Sequence, residues 1–233
     1  AEDAGAPVGA VGALVGAFTG GVGDVDAGAV KGIAITATDE THGTWYWSAD
    51  NGSSWATVGA VANASALLLA DDGATRLYFA PATDWNGSSA AALTLRAWDQ
   101  TAGSAGTKVD TTAHGGSSAF SSATDVVDVT VTAVNDAPVI GQLHGDAVAY
   151  AEGDPPVRLD AGGDASVSDV DSLNLDGGVL TVTVLAGGQA AEDVLAIDDL
   201  GPGAGVVGLS GSDVTFGGVV IGSAAGGSGG TPL

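Results

Sequence analysis

The sequence predicts an all-β fold built from tandem β-sandwich domains, and three observations carry this prediction. Glycine is very frequent, with 39 copies in 233 residues, and its entropic cost in helices disfavours long helical segments. Apolar residues alternate with polar ones over short stretches, which is the period of a half-buried strand. Turn-forming residues recur about every ten positions, a spacing that is typical of short strands joined by brief connections.

The strands of the first domain follow from this alternation. Ile33 and Ile35 alternate with small or polar neighbours in residues 32–38, and alternating valines place one face of residues 125–134 toward a core. Further strands are predicted at residues 44–48, 54–58, 76–79 and 93–98. Seven or so short strands in one domain are typical of a sandwich.

Two similar segments and one linker divide the chain. Ala1-Glu2-Asp3 is echoed by Ala151-Glu152-Gly153, and Asp24-Val25-Asp26 is echoed by Asp169-Val170-Asp171. Between the copies lies Val134-Asn135-Asp136-Ala137-Pro138, whose proline ends the preceding strand. We therefore predict two repeats, residues 1–137 and residues 138–233.

The second repeat is predicted to be divergent and incomplete. Residues 179–185 alternate as a strand, and shorter strands are predicted at 194–197, 206–209, 214–216 and 219–221. Fewer residues follow its Asp-x-Asp pair than follow the pair of the first repeat, so closing strands are expected beyond residue 233. The alternative is that a neighbouring molecule supplies a strand, because an open sandwich edge invites strand exchange.

Charge and composition exclude several classes of function. The chain has 28 acidic residues against 5 basic ones and a net charge of −23, so it would repel nucleic acids and anionic membrane surfaces. No apolar run is long enough for membrane insertion. The chain has no cysteine, which excludes disulfides and thiolate chemistry. So acidic a surface requires counter-cations, from a high-salt environment or at specific divalent sites.

The residue types of an active site are present but not in catalytic patterns. The histidines His42, His114 and His144 stand apart from one another, no lysine follows a phosphate-binding loop, and no nucleophile elbow occurs. We therefore expect that the protein is not an enzyme.

Oxygen-bearing side chains recur in an order that follows the repeats. Glu2 lies near the start, Asp99 follows a predicted strand, Asn135 and Asp136 lie in the linker, and an Asp-x-Asp pair lies in the second repeat. On this order and on the Val-Asn-Asp-Ala-Pro linker, the chain resembles the cadherin-like repeats of large bacterial adhesins. The resemblance implies Ig-like or cadherin-like sandwiches whose junctions bind calcium.

The resemblance also implies a role for each of these residues. The junction between the repeats would take its Ca²⁺ ligands from Glu2, Asp99, Asn135, Asp136, Asp169 and Asp171. Asp24 and Asp26 would serve a preceding junction, and Glu152 a following one. Calcium takes six to eight oxygen ligands, which such a set can supply. The alternative is that these acids are ordinary solvated turn residues.

Two other motifs have structural explanations. Residues 48–55, Ser-Ala-Asp-Asn-Gly-Ser-Ser-Trp, match an Asp-box hairpin in which Asn-Gly forms the tight turn. The large aromatic residues of the first repeat are expected to pack in its core, and the alternative is a surface on which sugars stack. They are Trp45, Tyr46, Trp47, Trp55, Trp85 and Trp98.

Together these features predict a calcium-binding structural or adhesive segment of a secreted bacterial cell-surface protein. Its expected partners are neighbouring domains of the same chain, with cell-surface glycans or proteins, or further copies in a filament, as additional candidates. The alternatives are a carbohydrate-binding module of a secreted glycan-active protein, or a subunit of an extracellular filament or surface layer.

Overall fold

The computed structural model describes residues 1–26, 28–172 and 174–233. The chain divides into two compact units, Ala1–Asp136 and Ala137–Leu233, next to the boundary placed at Ala137 from the sequence. The all-β prediction is confirmed: the described residues form antiparallel strands and one 3-10 turn, Val15–Phe18, but no α-helix. In particular, they contain no helix with the length and apolar character that a membrane span requires.

Nine strands make up the first unit, in two antiparallel sheets with the orders β1-β6-β3-β4 and β8-β5-β2-β7-β9. The strands are β1 (Ala13–Leu14), β2 (Gly32–Thr38), β3 (Gly43–Ser48), β4 (Ala56–Thr57), β5 (Ala66–Ala70), β6 (Arg76–Pro81), β7 (Gly87–Trp98), β8 (Lys108–Val109) and β9 (Asp125–Val131).

The main core of this unit lies between its two sheets. Ile33 and Leu93 of the five-stranded sheet belong to one buried cluster with Trp45 and Leu77 of the four-stranded sheet. Each of these side chains is at most 4% exposed. Two antiparallel sheets with a shared apolar interior are consistent with a β-sandwich.

Strands β2 and β5 of the five-stranded sheet are buried on both faces. On the face away from the main core, Leu68 and Trp98 pack with Phe120 from the loop that follows β8. The indole N–H of Trp98 donates to the backbone carbonyl of Ala102. Strand β5, Ala-Leu-Leu-Leu-Ala, is therefore buried along its whole length. It has no polar alternation, which is why the sequence pattern did not predict it.

The Asp-box prediction of a structural hairpin is confirmed between β3 and β4. Asn51 and Gly52 have φ values of 56° and 88°, the left-handed conformations that a tight hairpin turn requires. Asp50 accepts bonds from the backbone N–H and the hydroxyl of Ser54, and from the hydroxyl of Ser48. These bonds, led by those from Ser54, lower the pKa of Asp50 from 3.8 to about 2.

The aromatic side chains divide between core and surface. Trp45 and Trp98 are buried, and Trp47 packs against the main core, as predicted. Tyr46 points to the other face of its strand, because successive side chains in a strand alternate. Trp55 lies beside Tyr78, with 6.1 Å between the ring centroids.

The second unit has five short strands. The sheets are β10-β11 and β12-β13-β14, formed by β10 (Val139–Gly141), β11 (Ser166–Ser168), β12 (Val207–Ser210), β13 (Asp213–Phe216) and β14 (Val219–Ser223). The last three strands lie where the sequence predicted strands. Both apolar core clusters found among the described residues belong to the first unit.

Two strands predicted in the second unit are not formed. Residues 179–185 and 194–197 have no strand assignment, and Leu180 and Val194 are 66% and 68% exposed. Alternation predicts which face of a strand would be buried, but a strand also needs a partner for its backbone hydrogen bonds. Val182 exchanges such bonds with Leu233 alone, and one residue pair does not make a ladder.

Candidate metal centre

Sheet topology brings three segments of the first unit to one place. The first residue of β7, Gly87, is paired with the last residue of β9, Val131. The loop of residues 82–86 before β7 therefore lies beside residues 132–136, which follow β9. The N-terminal segment joins them because the backbone N–H of Glu2 donates to the carbonyl of Thr132 over 3.0 Å.

Glu2 lies where these three segments meet, and it is buried, with 3% of its surface exposed. One carboxylate oxygen accepts the backbone N–H of Val134 at 2.6 Å, and the other accepts the side-chain amide of Asn86 at 3.0 Å. Burial of a charged carboxylate is costly, and both of these donors are neutral. Glu2 thus links all three segments through its hydrogen bonds.

Three further carboxylates surround the same point. Oxygen atoms of Asp3, Asp84 and Asp136 lie within 4.8 Å of one another, and an oxygen of Asp136 lies within 4.8 Å of one from Glu2. Asp3 and Asp84 are exposed, whereas Asp136 is half-buried. Each of the three segments therefore contributes at least one carboxylate.

The backbone holds two of these residues in an unusual conformation. Asp3 and Asp84 have φ values of 59° and 57°, in the left-handed region that residues other than glycine rarely adopt. The backbone N–H of Asp84 also donates to the carboxylate of Asp3 over 3.0 Å. Left-handed residues cluster at ligand sites, where the surrounding structure maintains them.

An aromatic pair supports the loop that carries Asp84. Trp85 stacks on His42, with ring centroids 4.5 Å apart and an interplanar angle of 5°. The backbone N–H of Ala82 donates to the carbonyl of His42 over 2.8 Å. The loop between β6 and β7 is therefore fixed on both sides of Asp84.

The side chains of this cluster are all acidic. Among the described residues, the one salt bridge found joins Arg158 to Asp198 in the second unit. Arg96, the buried arginine of the first unit, donates instead to the carbonyls of Ser121 and Ser122. Two like unit charges about 4 Å apart repel by roughly 1 kcal/mol in water and roughly 4 kcal/mol near a protein surface. A bound cation would remove this repulsion.

The chemistry of the donors favours a hard divalent cation. Every candidate ligand from Glu2, Asp3, Asp84 and Asp136 is a carboxylate oxygen, and neither nitrogen nor sulfur is present in the group. Calcium and magnesium prefer such ligands, whereas zinc and copper prefer imidazole or thiolate. Calcium tolerates irregular geometry and high coordination numbers, which suits carboxylates from three separate segments. The residues present therefore fit calcium.

Asp99 lies elsewhere, and the sequence-based grouping is corrected on this point. It follows the last residue of β7, whereas Asn86, the partner of Glu2, precedes the first. A strand of this length separates its two ends by roughly 30 Å or more. Asp99 therefore does not share an ion with Glu2 and Asp136. It lies instead beside Asp24, in an open groove that both residues line.

The remaining candidates occupy local turns. Asp24 accepts the backbone N–H of Asp26, and Asp169 accepts that of Asp171, each over 2.9 Å. Asp24, Asp26, Asp171 and Glu152 are exposed. The side-chain amide of Asn135 donates to the carbonyl of Asp136 over 2.7 Å. The predicted roles of Asp169, Asp171 and Glu152 in calcium binding remain predictions.

Sequence reasoning did not find Asp3 and Asp84. Asp3 directly follows Glu2, and the order of acidic residues along the repeats did not distinguish its carboxylate from that of Glu2. Asp84 lies in an irregular loop between two strands, so no periodicity marks it. Its position becomes apparent only from the pairing of β7 with β9, which is a contact between distant parts of the chain.

Comparison with known proteins gives no relative: no family model, no curated protein sequence and no solved structure matches the chain.

Proposed function

We propose that the chain is a calcium-binding structural or adhesive segment of a secreted bacterial surface protein. In this proposal one Ca²⁺ binds to Asp3, Asp84 and Asp136 beside the buried Glu2, and joins the three segments that meet there. The observation that carries the proposal is the close approach of carboxylate oxygens from Asp3, Asp84 and Asp136, with the buried carboxylate of Glu2 beside Asp136.

The position of the site suggests what the ion does. Asp136 is the last residue of the first unit, so an ion bound to it limits the motion of the chain where that unit ends. Removal of the ion would leave mutually repelling carboxylates on segments that are otherwise held by a few hydrogen bonds. Calcium would thus stiffen the exit from the unit and protect the linker from proteolysis.

The proposed extracellular location sets the affinity that we expect. Extracellular calcium modules bind with a Kd of about 10⁻⁴ to 10⁻³ M. At a hundredfold excess of calcium over such a Kd, mass action stabilises the folded unit by roughly 2.7 kcal/mol. The absence of cysteine from the sequence means that metal ions would take the cross-linking role that disulfides have in many secreted proteins.

Calorimetric titration with calcium tests the proposal directly. Wild-type protein should release or absorb heat on binding, and Asp136→Asn should weaken binding by about tenfold or more, because it removes one unit charge from the centre of the cluster. Asp213→Asn is the matched control, since Asp213 lies in β13 and does not belong to the carboxylate cluster. A wild-type protein that binds no calcium would contradict the proposal.

The contribution of the second repeat needs a separate variant. The sequence predicts that Asp169 and Asp171 complete the coordination shell. The double substitution of both residues by Asn should then lower calcium affinity as Asp136→Asn does. An unchanged affinity would assign the whole site to the first unit.

A further inference from the structure

A groove on the first unit is lined in part by residues that are close in sequence to ligands of the candidate metal centre. It is open to solvent and follows the outer face of the four-stranded sheet. Its lining includes Gly5, Glu40, Thr41, Thr44, Tyr46 and Ala82. The groove combines one tyrosine ring and its hydroxyl, two threonine hydroxyls and one carboxylate with small residues.

Tyr46 provides the flat apolar surface of the groove. Its neighbours Trp45 and Trp47 turn toward the main core, so Tyr46 faces outward and is half-buried. Its strand partner is Tyr78 of β6. A tyrosine in this position offers an apolar ring face together with a polar hydroxyl at its edge.

Polar groups around the ring are held by the fold. A carboxylate oxygen of Glu40 accepts the backbone N–H of Trp45 over 3.2 Å, which keeps this acid beside β3. Thr41 donates its backbone N–H to the carboxylate of Asp39 over 3.0 Å, which fixes the turn that carries both groove residues. A few positioned polar groups next to an apolar surface are typical of small-ligand sites.

The charge of the protein narrows the class of ligand. With a net charge of −23 and an acid in the groove itself, anionic ligands are repelled. A flat ligand with C–H groups on its face and hydroxyls at its rim matches an aromatic ring surrounded by hydroxyl and carboxylate groups. We propose that this groove binds a neutral pyranose sugar with equatorial hydroxyls, and that bound calcium sets the width of the groove.

The proposed effect of calcium on the groove width follows from the sequence positions of two lining residues, one on each of two chain segments. Gly5 follows Asp3 by two residues, and Ala82 precedes Asp84 by two residues. The hydrogen bond from the Asp84 N–H to Asp3 already connects the two segments. An ion shared by Asp3 and Asp84 would hold both walls at one separation. This part of the inference rests on the proposed calcium site.

The test is an NMR titration with cellotetraose, a neutral β-linked glucose oligosaccharide, with calcium and with a chelator. In calcium, backbone signals of Thr41, Thr44 and Tyr46 should shift, and the apparent affinity should fall at least about tenfold in the chelator, a difference of about 1.4 kcal/mol. A hyaluronan tetrasaccharide, β-linked but anionic, should not bind. Equal binding of the two sugars would overturn the charge argument.

Substitutions test the contribution of the Tyr46 ring to sugar binding separately from that of the rest of the unit. Tyr46→Ala should abolish the shifts, whereas Tyr46→Trp should retain them. Tyr150→Ala, at an exposed tyrosine of the second unit, is the matched control and should bind as the wild type does. Because Tyr46→Ala removes a strand contact, Glu40→Gln provides a second variant on an exposed residue, and it should weaken binding without altering the fold.

The outcomes distinguish this inference from the calcium proposal. If calcium alone binds in calorimetry but cellotetraose does not, the groove proposal is overturned and the calcium proposal stands. If cellotetraose binds equally with and without calcium, the coupling is overturned. If calcium does not bind at all, the proposed function and the coupling both fail. Cellotetraose binding that survives Tyr46→Ala would overturn the assignment of the groove.

Discussion

The backbone N–H of Asp84 donates a hydrogen bond to the carboxylate of Asp3, 81 positions earlier in the chain. Two left-handed acidic residues are thereby held against each other, although their charges repel. The neutral amide reduces that repulsion only in part. The proposed Ca²⁺, bound by both residues, would remove the rest of that repulsion.

Asp84→Asn should weaken calcium binding while leaving the unit folded. Asparagine tolerates the left-handed backbone at position 84 and keeps one oxygen, so the substitution removes mainly a charge. We expect about a tenfold loss of calcium affinity by calorimetry, which is about 1.4 kcal/mol. Asp84→Ala should also lower thermal stability, since alanine adopts this backbone at a cost. An Asp84→Asn protein with wild-type affinity would contradict the assignment of Asp84 as a ligand.

Glu2→Gln should affect stability differently with and without calcium. The substitution replaces an oxygen that accepts a hydrogen bond with an amide that donates, opposite the donors at Val134 and Asn86. A buried group left without its partner costs about 1–3 kcal/mol. In a chelator, relief of carboxylate repulsion should offset part of this cost. Thermal unfolding in both conditions measures the difference, and an equal loss in both would argue against an ion next to Glu2.

Much of the first unit could be predicted from sequence, because alternation is a local property. In β9 the valines at every second position face the core, and in β2 Ile33 and Ile35 alternate with smaller residues. Strand β5, Ala-Leu-Leu-Leu-Ala, has no such period, because leucines occupy both of its faces. The candidate metal centre was predicted in part: Glu2 and Asp136 came from the order of the motifs. Asp84 depends on sheet pairing, which one sequence does not reveal.

The error at Asp99 has a similar origin. A strand that ends in an aspartate indicates a carboxylate at one end of a sheet, but the sequence does not specify which end. Asp99 lies at the end of β7 opposite to Asn86, so the direction of this strand separates it from Glu2. The spacing of Asp24 and Asp99 along the chain gave no sign that both line one groove.

The Asp50 hairpin should lose stability only in strong acid. Its folded pKa of about 2 lies below the ordinary aspartate value of 3.8, so its contribution is fully present above pH 3.8 and disappears as the pH falls toward 2. Carbon NMR of the Asp50 carboxyl should report the low pKa directly. Ser54→Ala removes the leading hydrogen bond and should raise it, while Ser53→Ala should change it little. An ordinary pKa for Asp50 in the wild type would contradict the hairpin geometry.

Gly52→Ala should destabilise the first unit more than Gly73→Ala does. Both glycines have positive φ values, 88° and 77°, so both substitutions carry a similar backbone cost. A methyl group at position 52 would collide with the backbone of Gly9 and Ala10, whereas none of the described atoms lies within 4 Å of one at position 73. We expect a loss of about 1 kcal/mol for Gly73→Ala and a larger loss for Gly52→Ala, measured by urea unfolding. Equal losses would show that the N-terminal segment does not pack against the hairpin.

Arg96→Met should be strongly destabilising despite its similar length. Arg96 is 7% exposed, and its guanidinium donates to the carbonyls of Ser121 and Ser122. Without it, these acceptors lose charge-assisted bonds, each worth roughly 1.5–3 kcal/mol. Arg96→Lys should recover only part of the loss, since lysine lacks the planar fork. Arg158→Met, on an exposed ion pair, is the control and should change the urea midpoint little.

The hydrogen bonds of Glu2 also determine how the first unit would respond to tension. They join residue 2 to residues 132 and 134, so the two ends of the unit meet at one point. A force that pulls residue 1 away from residue 136 therefore acts first on these bonds and on any ion beside them, before it reaches the ladders of β2, β7 and β9. The mechanical strength of the unit between its ends would then depend on dissolved calcium. Its packed interior would bear no force until these hydrogen bonds and the contacts to the ion had broken.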